Sequence, residues 1–280
     1  MSFLKRLFKF YINSSVHVAF SVLALSHLTQ LRTEQTTDLV FLLTLFCATI
    51  FGYNFVKYFG LAKFHYRSLT TKLKEIQILS AFCFIGFVVC FFGLKTEVQY
   101  SLFFLGLITF FYAMPLKWIS SKSLRKIRGL KIYIIAFVWA ATTAFLPQLQ
   151  SGLELPKIQY WWVLERFVFI FILMLPFEIR DMNFDDLKLS TIPQRMGQNN
   201  TKKLGYLGVL LLFVSLIFAD DFNKIEFFSS SITLLLLVFF LIKSSTKKTQ
   251  YFTAFWVEAL PIFWWVLWVG LELLKKPSAF

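Results

Sequence analysis

Apolar residues in this chain gather into nine long runs separated by short polar connections. The runs lie at about 14–31, 38–59, 76–94, 99–116, 130–149, 160–179, 204–219, 227–243 and 252–274. Each reaches or approaches the roughly 17–25 residues that a helix needs to cross a bilayer. The pattern predicts an all-α, polytopic membrane protein of about nine transmembrane helices. The first run fits least well, because it carries His17, His27 and several hydroxyls. Connections are short, so positions 1–280 read as a single transmembrane domain with no inserted soluble unit. No tandem repeat or low-complexity tract is visible.

The charges fall into the same alternation. With the N-terminus inside, the inner segments hold 22 Lys and Arg and the outer ones 6, with Arg166 inside a span. That asymmetry alternates connection by connection, as the positive-inside rule requires. It predicts a cytoplasmic N-terminus, an external C-terminus and an odd number of spans. The net charge of +14 would suggest nucleic acid in a soluble protein. Here the cations sit between apolar runs, so the membrane explains them and no nucleic-acid partner is expected.

Composition sharpens the class. Hydrophobic residues make up 58% of the chain, Phe alone numbers 37, and only 16% are charged, against about 25% in soluble domains. Mean hydropathy is +0.66. Lipid can solvate so much apolar surface, whereas a soluble core of this size cannot hide it. Cys47, Cys83 and Cys90 lie in apolar stretches without a CxxC spacing and read as small packing residues. The basic start at Met1–Phe10 is followed by no small-residue cleavage site, so no cleavable signal is expected.

Acidic residues are scarce, 15 in all, and several cluster at the inner end of the sixth run. The stretch reads Leu-Pro-Phe-Glu178-Ile-Arg180-Asp181-Met-Asn-Phe-Asp185-Asp186, followed by Thr191-Ile-Pro193-Gln-Arg195-Met-Gly197. On a helix continuing past the membrane, Glu178, Asp181 and Asp185 would share one face at i, i+3 and i+7. Such carboxylates repel one another, and a hard divalent cation would relieve the repulsion. A solvated loop end is the alternative.

These residues resemble the second aspartate-rich motif of the UbiA-type intramembrane prenyltransferases. Arg180, Asp181 and Asp185 match that motif, Glu178 stands at its first Asp, and Thr191, Ile192, Pro193 and Gly197 match its tail. Tyr112-Ala-Met-Pro115-Leu-Lys117 looks like the family's Tyr-x-x-Pro-x-x-Lys signature, and Arg128-Gly-Leu-Lys131 is similar as well. The resemblance implies a helical bundle around a central, lipid-open cavity in a bacterial inner membrane. It implies a transferase that moves an isoprenoid from isoprenyl diphosphate to a lipid-soluble, aromatic acceptor. Catalytic roles would fall to Asp181, Asp185, Arg180 and Lys117, substrate binding to Asn54, Lys57, Arg67, Tyr112, Lys131 and Arg195, and Mg²⁺ to Glu178, Asp181 and Asp185. The chemistry suits these residue types: cations stabilise the leaving diphosphate, and a dry, aromatic chamber protects the allylic cation.

The family's first aspartate motif is degenerate here. Asn54, Lys57, Lys63 and Arg67 are present, but Phe55, Tyr58 and Ala62 stand where three Asp are expected. Two readings follow: a transferase whose diphosphate is held by one metal and by Lys57, Lys63 and Arg67, or a silent relative that binds isoprenoid or other lipid. A transporter is the third, and it lacks a repeated pair of interrupted helices. Glu258, in Phe255-Trp-Val-Glu258-Ala-Leu-Pro261, is an intramembrane acid and thus a site candidate by default. Glu165 and Arg166 are expected at the outer interface. His17 and His27, ten residues apart, lie about 15 Å from each other on one helix, too far to share a metal. His65 sits in the degenerate loop with no role demanded.

Overall fold

The computed structural model describes residues 3–62, 71–114, 127–186, 189–218 and 223–275. Ten helices run in order: α1 Phe3–Asn13, α2 Val16–Arg32, α3 Leu39–Ala62, α4 Thr71–Phe91 and α5 Thr96–Ala113, then α6 Lys131–Gln150, α7 Tyr160–Asp181, α8 Ile192–Ile217, α9 Lys224–Lys243 and α10 Phe252–Lys275. Six are long and apolar enough to cross a bilayer, and α1 with α2 makes a seventh if that pair, bent by 56°, is one span. The other two, α5 and α7, carry polar residues in their first halves, Glu97 and Gln99 in α5 and Glu165 and Arg166 in α7. Each of the nine apolar runs is thus a helical rod, and the chain is an all-α integral membrane protein. Large apolar side chains such as Phe82, Val89, Phe103, Leu211 and Leu235 stand exposed on the outside, where lipid replaces water.

Six helices close a ring. Neighbour by neighbour, α2 packs on α3, α3 on α5, α5 on α6, α6 on α7, α7 on the start of α10, and α10 back on α2. Outside it, α4 lies against α3, while α8 and α9 cover α7 and α10. Helix α8 approaches closely because Gly205 has no side chain: a Cβ there would stand 2.8 Å from Leu241 of α9 and 3.1 Å from Leu175 of α7. Small residues at such contacts are the usual means of close helix approach in lipid. Gly205→Leu is expected to overpack this three-helix seam and cost about 1–3 kcal/mol, measured as a lower thermal midpoint in detergent.

The polar residues of the first run find partners inside the bundle. Two rods of the ring contain a π-helical turn, Ala141–Phe145 in α6 and Phe252–Val257 in α10. Such turns leave carbonyls without their regular partners, and α2 supplies donors. Thr29 donates to the Thr143 carbonyl at 2.6 Å, Ser21 to the Glu258 carbonyl at 2.5 Å, and the His17 Nε2 lies 3.0 Å from the Phe255 carbonyl. His27 accepts from the Trp265 indole at 2.7 Å. Far from being marginal, α2 is tied to α6 and α10 by these hydrogen bonds. Arg166 does not reach the outer interface as expected. It is 8% exposed and donates to the Leu25 carbonyl at 2.9 Å, with Thr143 and Thr29 hydroxyls at 3.3 Å.

Candidate functional site

The acidic stretch is built differently from the continuous helix face expected of it. Helix α7 ends at Asp181. The chain then turns, with the Phe184 and Asp185 amides both donating to the Asp181 carbonyl at 2.9 and 2.8 Å. Gln194 fixes this turn. Its Nε2 donates to the carbonyls of Asp185 (3.0 Å) and Met182 (3.3 Å), and its Oε1 accepts from the Thr191 amide at 2.9 Å. Thr191-Ile-Pro193-Gln194 is a capping pattern that starts α8, and that spacing is the signal by which Gln194 could have been found.

Turned back in this way, Asp185 meets Glu178 across one ammonium group. The Lys131 Nζ, on the first residue of α6, stands 3.1 Å from Glu178 Oε1 and 3.1 Å from Asp185 Oδ2. The Glu178 side chain is 2% exposed. Asp181 is held separately by Arg180, whose Nε and Nη2 donate to its two carboxylate oxygens at 2.6 and 2.8 Å. The remaining guanidinium edge of Arg180 reaches α10, donating to the Thr253 hydroxyl and lying 3.4 Å from the Gln250 carbonyl. Arg180 thereby ties the end of α7 to the π-helical turn that carries Glu258 inward.

These groups line one end of a cavity of about 360 Å³ inside the ring. Lys57, Tyr112, Lys131, Arg180, Asp181 and Glu258 all contribute to its wall. The Glu258 carboxylate makes no hydrogen bond or ion pair among the described residues and feels the charges of Lys57 and Arg180. A second cavity of about 350 Å³ adjoins the first and is almost wholly apolar, with Leu45, Phe51, Phe55, Phe87, Leu102, Leu105 and Phe110 among its walls. Tyr53, Thr109, Val138 and Trp139 line both. At this junction the Trp139 indole donates to the Tyr53 hydroxyl at 2.5 Å.

The expected site residues divide accordingly. Lys57, Tyr112, Lys131, Arg180 and Asp181 share the cavity, with Glu178 and Asp185 joined to it through Lys131. Asn54 does not line it. Its amide is spent on the elbow between α1 and α2: Oδ1 accepts from Ser15 at 2.9 Å, while Nδ2 donates to the Ser14 carbonyl at 3.0 Å and Ser80 at 2.9 Å. Arg195 is exposed and packs over Gly129 away from the cavity. Arg67, Lys117, Lys63 and His65 lie outside the described residues. Tyr53, Trp139, Thr109 and Gln194 belong to the site or its frame and were not singled out by sequence.

The degenerate first motif has been rebuilt with apolar and neutral contacts. Phe55 stacks on Phe110 with ring centroids 5.8 Å apart and 9° between planes, against the apolar cavity. Tyr58 donates to the Asn13 carbonyl at 2.9 Å. Lys57 leans on the same elbow, its Nζ 3.4 Å from the carbonyls of Ile12 and Asn13 and 3.5 Å from the Ser15 hydroxyl. Those partners are neutral, and the acid whose charge it feels is Glu258 in the same cavity.

The Mg²⁺ expected on Glu178, Asp181 and Asp185 does not fit this arrangement. A magnesium ion wants near-octahedral oxygen donors at 2.0–2.1 Å. Two of the three carboxylates here converge on an ammonium, and the third is chelated by a guanidinium. Among the described residues no group of three acidic, His or Cys side chains is placed to hold a metal ion.

No protein-family model matches the chain, and no curated protein sequence does either. Its fold is similar to that of a solved structure described as the apo structure of a UbiA homolog from Aeropyrum pernix K1. The TM-score is 0.66 at 14% sequence identity, covering 92% of this chain and 98% of that one. The chain therefore has the UbiA-type fold.

Proposed function

We propose that the protein is an intramembrane prenyltransferase that binds an isoprenyl diphosphate with its head among Lys57, Lys131 and Arg180 and its tail in the apolar cavity. The observation that carries this reading is the pairing of a cation-lined chamber with an apolar one through a shared wall. A diphosphate ester of an isoprenoid has the same two halves. The UbiA-type fold and the matching residues from Glu178 to Gly197 support it as well. The concentration of Lys and Arg at the same ends of the helices favours a cytoplasmic mouth in a bacterial inner membrane.

In this reading the allylic C–O bond breaks with its electron pair on the diphosphate, whose new charge Lys131, Arg180 and Lys57 stabilise. The allylic carbon then bonds to a nucleophilic carbon of a lipid-soluble, aromatic acceptor. The proton displaced from that carbon passes to Glu258, whose carboxylate lines the same chamber. Tyr53, Tyr112 and Trp139 line the chamber and supply the aromatic surface that such a cation favours. The deciding experiment is diphosphate release from an isoprenyl diphosphate by purified protein supplied with phenolic acceptors. Tight binding with no release would instead favour the silent, lipid-binding reading, which draws its support from Phe55, Tyr58 and Ala62 in place of acids.

The junction also sets an expectation for donor length. Thr109 lines both chambers, so Thr109→Trp should plug the passage. The preference for long over short donors, read as a ratio of kcat/KM, is expected to fall by about 10- to 200-fold or more, the range that a single methylene commands in an apolar pocket. An unchanged ratio would place the tail elsewhere.

A further inference from the structure

We infer that Lys131 takes the place of a divalent cation in this site, so that the protein recognises its diphosphate without metal. The inference rests on the prenyl-diphosphate reading above and concerns how that ligand is held.

Three observations converge on it. First, one Nζ stands at 3.1 Å from both Glu178 Oε1 and Asp185 Oδ2. Carboxylates from α7 and from the turn beyond it are thus joined through a positive charge, which is the job expected of the ion. Second, that position is built rather than accidental. Lys131 opens α6, Glu178 lies in the last turn of α7 at 2% exposure, and Gln194 pins the turn carrying Asp185. Third, among the described residues the first motif supplies no carboxylate to a metal. The opposite wall of the cavity offers Lys57, and the positions that would have carried acids are Phe55, stacked on Phe110, and Tyr58, bonded to Asn13.

Charge then dictates how the ligand is met. An ammonium has three donors; Asp185 accepts one of them and Glu178 is held by charge at 3.1 Å, which leaves donors for the chamber that Lys131 lines. A metal entering here would have to expel Lys131 from two carboxylates, and the displaced ammonium would repel it. Arg and Lys bind phosphate oxygens directly through charge-assisted hydrogen bonds. Lys131 and Arg180, braced by their carboxylates, together with Lys57, braced by neutral oxygens, form a fixed set of three such donors.

The test uses purified full-length protein in detergent and two probes: Mn²⁺ followed by electron paramagnetic resonance, and non-ionisable farnesyl S-thiolodiphosphate followed by calorimetry. Wild type is expected to retain no Mn²⁺ and to bind the analogue equally well in EDTA and in Mg²⁺. Lys131→Met should weaken analogue binding by about tenfold or more, the loss of one charge-assisted contact. It should also gain a Mn²⁺ site, which the triple variant K131M/E178Q/D185N loses again. Mn²⁺ binding to wild type that Glu178→Gln or Asp185→Asn abolishes would overturn the inference. So would analogue binding that disappears in EDTA. These wild-type measurements decide even if Lys131→Met fails to fold. Should the analogue bind under no condition, the prenyl-diphosphate reading fails, while the Mn²⁺ titrations still judge whether Lys131 excludes metal.

Discussion

Replacing Arg180 by Met is expected to lower the rate of diphosphate release by about 10²–10³, the usual cost of removing one preorganised group that stabilises developing charge. Arg180 is the cation most rigidly presented to the cavity. Two of its nitrogens grip Asp181 at 2.6 and 2.8 Å, and a third reaches the Thr253 hydroxyl and the Gln250 carbonyl on α10. A side chain so braced loses little freedom when the ligand arrives, which is where preorganisation gains its advantage. Lys in its place cannot chelate Asp181 and span to α10 at once, because its ammonium lacks the planar fork. Arg180→Lys is therefore expected to stay well below wild type. The fold should tolerate both changes, since the Asp181 side chain left behind is 28% exposed and keeps contact with water. Initial rates of diphosphate release, with matched melting curves, provide the check. Rates within about threefold of wild type would remove Arg180 from the chemistry.

Much of the architecture was legible from the pattern of apolar runs alone, because helix length is dictated by bilayer thickness and not by partner side chains. All nine runs are rods, including the first, whose polar residues counted against it. Those residues could be understood only in three dimensions. His17, Ser21 and Thr29 serve carbonyls connected with π-helical turns over a hundred positions away in sequence, and no local signal in α6 or α10 announces those turns. The acidic stretch stood out in the sequence, but its geometry did not. Spacing placed Glu178, Asp181 and Asp185 on one helix face, yet α7 stops at Asp181 and the following turn hands Asp185 to Lys131. Repulsion among the three carboxylates was the correct premise. A lysine 50 positions upstream of Asp181 pairs with Glu178 and Asp185, and sequence spacing cannot reveal that partner. Asn54 erred the other way, for a motif position can be kept for the sake of an elbow.

The same logic of buried charge gives the largest expected effect on stability, at the end of the bundle remote from the mouth. Arg32 closes α2 with its guanidinium between Glu165 of α7, 3.0 Å away, and Glu226 of α9, 2.8 Å away, and over the ring of Trp162 at 4.1 Å. All three charged side chains are between 12% and 18% exposed. Arg32→Met would leave two carboxylates facing each other with only Arg166 nearby, itself committed to Leu25, Thr29 and Thr143. Removing one partner of a buried pair typically costs about 3–5 kcal/mol, because the charge left behind keeps its desolvation penalty and loses its compensation. That cost belongs to the orphaned acids and not to a net strength of the pair, which yields a sharper expectation. The triple variant R32M/E165Q/E226Q removes the orphaned acids and leaves Arg166 on its neutral partners Leu25, Thr29 and Thr143, so it should recover part of the loss although it has two more substitutions. Glu226→Gln alone should cost less than Arg32→Met, since Arg32 keeps Glu165. Thermal midpoints in detergent rank the three proteins, and a triple variant no more stable than Arg32→Met would show that Arg32 acts through packing on Trp162 and not through charge. Turnover per folded molecule should be unchanged in all of them, because none of these residues lines the cavity that holds Lys57, Lys131 and Arg180.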